Sequence, residues 1–168
     1  MPHIHDLYDF TASGCVVHNG RILLINHKKV GSWLPPGGHV DLNEEPMETL
    51  WREMEEEIGL TKDQLKLIEL YGDHTYNPPT AGFYSLPLPY DFYVVNYHEN
   101  DPTHKHIDMM YLLEATTDQV VMAEREAHDI GWFDASQLDK MLTEGKMFVP
   151  VHNRVKRALH LMEERTKS

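Results

Sequence analysis

Apolar residues follow two rhythms along this chain. Phe10 to Val17 is apolar and partly β-branched, Asn19-Gly20 supplies a two-residue turn, and Arg21 to Asn26 is apolar again. That pattern predicts a β-hairpin. Gly31 to Gly38 is rich in glycine and proline and reads as a loop. The period then becomes helical from Pro46 to Ile58, with proline suited to the first turn and Gly59 as the stop. Leu65 to Tyr71 reads as a strand, and the proline-rich stretch Asn77 to Pro89 as an irregular loop.

Tyr90 to His98 and Ile107 to Ala115 are two further strands, joined by a polar turn around Glu99 to Thr103. Ile130 to Phe133 reads as a short strand and Ser136 to Leu142 as a short helix. Val151 to Glu164 closes the chain as a helix, with Val151, Val155, Leu159 and Met162 on one face. Strands, a helix, more strands and terminal helices predict an α+β fold with helices packed on a sheet. There is no repeat or low-complexity tract, so residues 1–168 are expected to form a single domain.

Composition narrows the function. Hydrophobic residues make up 41% and charged residues 25%, ordinary values for a soluble globular protein. No apolar run approaches the ~18 residues of a membrane span, and the first residues do not read as a signal peptide. Cys15 is the only cysteine. A cytoplasmic location without disulfides is therefore expected. The formal net charge of -12 should repel a nucleic-acid polymer, and no basic patch overrides it. It suits a protein that gathers divalent cations and holds a small anionic substrate through them.

The helix carries the candidate chemistry. At 100° per residue, Met47, Leu50, Trp51, Met54 and Ile58 share an arc of about 100°, which belongs in the core. Glu53, Glu56 and Glu57 share a second arc, roughly 120° away. Carboxylates at i, i+3 and i+4 repel one another unless a cation lies among them, and crowded carboxylate oxygens suit Mg²⁺ or Mn²⁺. Gly37 and Gly38, just upstream, let backbone turn sharply or meet a ligand, with N–H groups available to phosphate oxygens. Glycines, acids and metal together describe a diphosphate site.

On its own, such a run of glutamates is more often a solvated face. Here Gly38, five residues, Glu44, seven residues and then Arg52-Glu53-Met54-Glu55-Glu56-Glu57-Ile58-Gly59-Leu60 resemble the Nudix (MutT-like) box at every defined position. The resemblance covers Gly38 to Leu60 and implies an α/β/α sandwich around a mixed sheet. It implies that Glu53, Glu56 and Glu57 bind Mg²⁺ or Mn²⁺ and that Glu53 or Glu56 helps activate water. Arg52 would orient carboxylates with Glu44 as its ion-pair partner, while Gly38 and Gly59 shape the loop-helix-loop. Family members also recruit a glutamate ahead of a Trp-containing strand, which points to Glu126, with Glu124 as competitor. Many relatives are dimers, so a homodimer is a further expectation.

Other positions bear on the substrate. His104, His106 and Asp108 alternate and should share one sheet face. His106 and Asp108 are read as substrate contacts rather than a second metal site. Tyr76, followed by Pro78-Pro79, is a candidate substrate contact. A tyrosine there resembles family members acting on dinucleoside polyphosphates, and a proline those acting on ADP-ribose, so the loop does not decide. Phe83, Tyr84, Tyr90, Phe92 and Tyr93 could stack a base, though at strand spacing core packing is the first expectation. His27, Lys28 and Lys29 read as a solvated strand end, and Arg154, Lys156 and Arg157 as plain surface.

The expected function is metal-dependent hydrolysis of a diphosphate linkage in a nucleoside diphosphate derivative. The reading leans to nucleoside triphosphates in a house-cleaning role, with ADP-ribose and dinucleoside polyphosphates as alternatives. A non-catalytic nucleotide sensor would predict lost box glutamates, yet all are present. An isoprenoid diphosphate isomerase would call for a reactive cysteine, for which Cys15 in a buried-looking strand is a poor candidate.

Overall fold

A computed structural model describes residues 7–70, 84–96 and 103–167 of the chain. A continuous run of buried residues from Ala12 to Val17 places the first strand, β1 (Tyr8–His18), in the centre of the molecule. Asn19 and Gly20, both with positive φ (47° and 72°), turn the chain back into β2 (Arg21–His27). Left-handed φ at both turn residues matches strand twist, which is why Asn-Gly is favoured there. β1 follows β2 only at Val17 and His18. Its other end pairs with β4 (Gly37–His39), while β2 pairs with β3 (Ser32–Leu34) and β8 (Ala127–Phe133).

On its second edge β1 runs parallel to β7 (Lys105–Ala115) over ten paired positions, Tyr8 beside Lys105 through Val17 beside Glu114. β5 (Leu65–Leu67) and β6 (Asp91–Val95) pair antiparallel with β7. Among the described residues the result is a mixed eight-stranded sheet.

Apolar side chains on both sheet faces need cover, and helices supply it on each. Leu23 and Ile25 point with Val16 toward Leu50, Met54 and Ile58 of α1 (Pro46–Ile58). Ile22 and Leu24 point with Val17 to the opposite face. There Leu138 of α2 (Ala135–Thr143) and Val151, Val155 and Leu159 of α3 (Val149–Lys167) meet them. The fold is an α/β/α sandwich, as expected. Truncating a fully buried leucine such as Leu50 to alanine should cost about 2–5 kcal/mol. No helix among the described residues is long and apolar enough to cross a membrane.

α1 begins at Pro46, and the Glu45 N–H donates to Glu48 Oε2 at 2.8 Å. It ends at Gly59, whose φ of 70° is left-handed; a Cβ there would also lie 2.9 Å from Val121.

Several expectations need correction. The supposed loop Gly31 to Gly38 contains β3 and the start of β4, because neighbouring strand edges offer its backbone groups partners. The strand from Leu65 stops at Leu67, where its pairing with β7 ends. The strand read as Ile130 to Phe133 starts at Ala127, since β2 extends far enough to pair with it. Met47 and Trp51, placed in the core, are only partly buried, and Lys62 Nζ sits 5.6 Å from the Trp51 ring centre. Tyr76, Pro78, Pro79, Phe83 and most of the turn around Glu99 to Thr103 lie outside the described residues.

Candidate active site

A cavity of about 530 Å³ opens between α1, β4 and the polar end of the β1–β7 pair. Its volume is in the range of small-molecule sites. Its acidic wall is α1. Glu53 and Glu57 are buried against β4, whereas the Glu56 side chain remains 44% exposed. Glu126, on the loop before β8, lines the same cavity with its side chain 33% exposed. Glu124 is not among the lining residues; its carbonyl accepts from Lys28 Nζ. The structure thus brings Glu53, Glu56, Glu57 and Glu126 together around one space.

Two glycines let the chain pack closely here, Gly38 against Glu53 and Gly37 against β1. A Cβ on Gly38 would lie 2.2 Å from Glu53 Oε1, and one on Gly37 would lie 2.5 Å from the Ala12 carbonyl oxygen. The Gly37 N–H donates to Glu57 Oε2 at 2.8 Å. Both glycines line the cavity, with the Gly37 N–H meeting Glu57 and the space over Gly38 taken by Glu53.

Arg52 ties the wall together. Its Nε and Nη2 donate to the two oxygens of Glu44 at 2.8 and 2.9 Å, and its Nη1 donates to Glu53 Oε1 at 2.6 Å. Nη2 also donates to the His39 carbonyl at 3.2 Å, and Thr49 Oγ1 donates to Glu44 Oε2 at 2.7 Å. A planar guanidinium can hold two carboxylates in fixed geometry, which a lysine cannot do. The Arg52 fork and Thr49 hold the Glu44 carboxyl down at about 2. Burial pushes Glu57 the other way, up to about 8, against the pull of the Gly37 N–H. Burial likewise raises Glu53 above its ordinary value, although Arg52 opposes the shift. Charging both acids without a cation is costly, and crowded oxygen donors of this kind are what a hard dication neutralises.

The floor of the cavity is polar. Asp108 accepts from Ser13 Oγ at 2.6 Å and from Thr11 Oγ1 at 2.7 Å. Burial raises its carboxyl above the ordinary range despite these hydroxyls and that of Tyr93. His106 lies two residues away on the same face, and the strand is central, flanked by β1 and β6, not a sheet edge. Tyr93 carries the Arg154 guanidinium 3.7 Å from its ring centre, and Arg154 Nε donates to Asp91 Oδ2 at 2.6 Å. Arg154 is therefore a structural clamp rather than plain surface.

His27, half-buried, and Lys29, exposed as read, also line the cavity. The Val30 N–H donates to His27 Nδ1 at 3.2 Å, which places that ring's proton on Nε2, and burial keeps its pKa low. Of the other aromatic residues, Tyr90 is buried with its hydroxyl donating to the Arg154 carbonyl at 2.9 Å, while Tyr84 and Phe92 are exposed. Cys15 is fully buried, its thiol donates to Met110 Sδ at 3.3 Å, and burial pushes its pKa up. It is no candidate for a reactive group.

Sequence reasoning missed Thr11, Ser13, His39 and Arg125. Arg125 Nη2 sits 3.2 Å from Glu56 Oε2. The only signal for His39 was its place directly after Gly38; the hydroxyls had none, because pairing across 97 and 95 positions of sequence creates their role.

Comparison with known proteins agrees with this geometry. The NUDIX domain profile matches residues 10–151. A Lactococcus lactis subsp. cremoris protein named "Probable DHNTP pyrophosphohydrolase" is 30% identical over 115 residues, 68% of this chain and 58% of its own length. The bis(5'-nucleosyl)-tetraphosphatase [asymmetrical] of Mus musculus is 44% identical over 48 residues, 29% of this chain and 33% of its own. The chain thus spans less than two thirds of either relative. A crystal structure of a NUDIX family hydrolase from Clostridium perfringens superposes with a TM-score of 0.77 at 26% identity, covering 92% of this chain and 97% of that one. Matched in sequence from the first strand into the last helix, and matched in fold, this chain belongs to the NUDIX family.

Proposed function

We propose that this protein is a metal-dependent pyrophosphohydrolase that cleaves a diphosphate linkage in a nucleoside diphosphate derivative. The observation that carries the reading is the pair of buried carboxylates, Glu53 and Glu57, facing a cavity with Glu56 and Glu126 around it. An all-oxygen, multiply anionic donor set fits Mg²⁺ or Mn²⁺ better than a softer metal. Glu53, Glu56, Glu57 and Glu126 would hold the cation, which when bound supplies neutralisation of the diphosphate oxygens.

The chain's own groups do the rest. Arg52, locked by Glu44, is a positioning residue that keeps Glu53 turned into the cavity. Glu53 or Glu56 orients the attacking water and takes its proton. Lys29 and Arg125 offer positive charge at the rim of a predominantly acidic cavity, where an anionic substrate enters. Asp108, fixed by Ser13 and Thr11, contacts the nucleoside end as an acceptor, with Tyr93 lining the cavity beside it.

The preferred substrate is a nucleoside triphosphate or related nucleotide. The relatives' names, a pyrophosphohydrolase and a tetraphosphatase, share attack on a phosphoanhydride. A panel of nucleoside triphosphates, ADP-ribose and diadenosine tetraphosphate, assayed with Mg²⁺ or Mn²⁺ and with products identified, tests the proposal. Turnover of at least one compound, abolished in Glu53→Gln, is expected. No turnover of any, or unchanged turnover in Glu53→Gln, defeats it.

A further inference from the structure

The polar end of the cavity holds a second group of potential ligands that the acid helix does not use. Asp9 of β1 pairs with His106 of β7, and Thr11 of β1 pairs with His39 of β4, so β1 carries Asp9 between two histidine-bearing strands. One ligand atom from each of Asp9, His39 and His106 falls within 4.8 Å of the others. His39 Nε2 is 3.2 Å from His106 Nε2 and 3.4 Å from Asp9 Oδ2, and His104 Nε2 is 3.2 Å from the same Asp9 oxygen.

The His39–His106 and His39–Asp9 separations match two edges of a tetrahedral site, and the third lies within 4.8 Å. Bonds of about 2.0–2.1 Å from zinc to imidazole nitrogen or carboxylate oxygen put neighbouring ligand atoms roughly 3.3–3.4 Å apart. Asp9 is fully buried, while His39 and His106 line the cavity, so the three donors are fixed from behind and open to the cavity on one side. Imidazole donors select a borderline metal over magnesium, which needs near-octahedral oxygen.

We propose that Asp9, His39 and His106, with a water as fourth ligand, form a second metal site for a tetrahedral transition-metal dication, zinc by preference. The ion is separate from the one held by the glutamates and does not depend on which substrate is cleaved. It pins β4 to β1 and β7, and because the His39 carbonyl accepts from Arg52, it steadies the strand against which Glu53 is packed. The reading of His106 as a direct substrate contact gives way to this role.

Metal content of the purified full chain decides the matter. Stripped with chelator and reloaded with Zn²⁺ alone, a Glu53→Gln/Glu56→Gln variant should retain one tightly held zinc per chain. Co²⁺ in its place should give the intense visible bands of tetrahedral coordination. Adding Asp9→Asn or His106→Gln should weaken zinc binding by on the order of 100-fold, since even groups that merely orient a ligand are worth about 10–100-fold. Circular dichroism of each variant reports whether it has folded. If the ligand variants unfold, zinc stoichiometry and the Co²⁺ spectrum of the glutamate variant still decide. No zinc retained there, a weak octahedral spectrum, or equal binding in folded ligand variants overturns the site.

Discussion

Gly38 and Glu53 touch so closely that a methyl group on the first would lie 2.2 Å from Oε1 of the second. The contact runs from a strand to the helix it faces, and it sets the direction in which the carboxylate points. Its consequence is easiest to see in a variant.

Gly38→Ala should fold, because the atoms it displaces are the far end of a flexible side chain. Glu53 would then leave the position that Arg52 gives it, and activity should fall by on the order of 100-fold or more for a misplacement of about 1 Å. Steady-state kinetics beside a thermal melt checks both halves. A fully active Gly38→Ala would remove the argument for this contact.

The Arg52–Glu44 fork makes a pH prediction. The folded Glu44 pKa of about 2 lies below its ordinary 4.5, so folding favours the charged form. The stability it contributes is complete above pH 4.5 and is lost as pH falls toward about 2. Wild type should therefore melt higher than Glu44→Gln at neutral pH, with the gap closing in acid. A gap of constant size from pH 2 to pH 6 would contradict the assignment.

Glu57 behaves in the opposite sense. Its folded pKa, raised to about 8 by burial, means that the folded chain without cation holds a proton that the unfolded chain releases near 4.5. Stability of chelated protein should then decline as pH rises from 4.5 to 8, with the penalty fully developed above 8. Glu57→Gln should melt higher than chelated wild type at pH 9, yet lose Mg²⁺ binding and turnover. Parallel melting profiles for the two proteins would show that Glu57 is not strained in this way.

Asp108 is held by Ser13 and Thr11 on the cavity floor, and the proposal places it at the nucleoside end. Asp108→Asn turns one acceptor into a donor facing a hydroxyl, at a stability cost of about 1–3 kcal/mol. KM for the nucleotide should rise several-fold with kcat little changed, because binding at the nucleoside end is common to ground and transition states. A drop confined to kcat would place Asp108 in the chemistry instead.

Much of this protein was legible locally. The Asn19-Gly20 hairpin, the helix from Pro46 to Ile58 with its stop at Gly59, and the terminal helix follow from turn chemistry and periodicity, which act over a few residues. Glu53, Glu56 and Glu57 were legible as a group because one helical turn places them together whatever lies outside. β3 and β4 were not legible. Three-residue strands exist only because a neighbour offers hydrogen bonds, and no periodicity encodes the neighbour.

The chain's order of residues alone determined the acid helix, its flanking glycines and the α+β character, since each depends on spacing along the backbone. Tertiary structure decided which acids are buried, and it brought Asp9 beside His39 and His106, and Thr11 and Ser13 beside Asp108. The physical reason is that burial and ligand convergence depend on distances through space. Those distances are set when β1 takes a partner nearly a hundred residues away on one edge and β4 on the other.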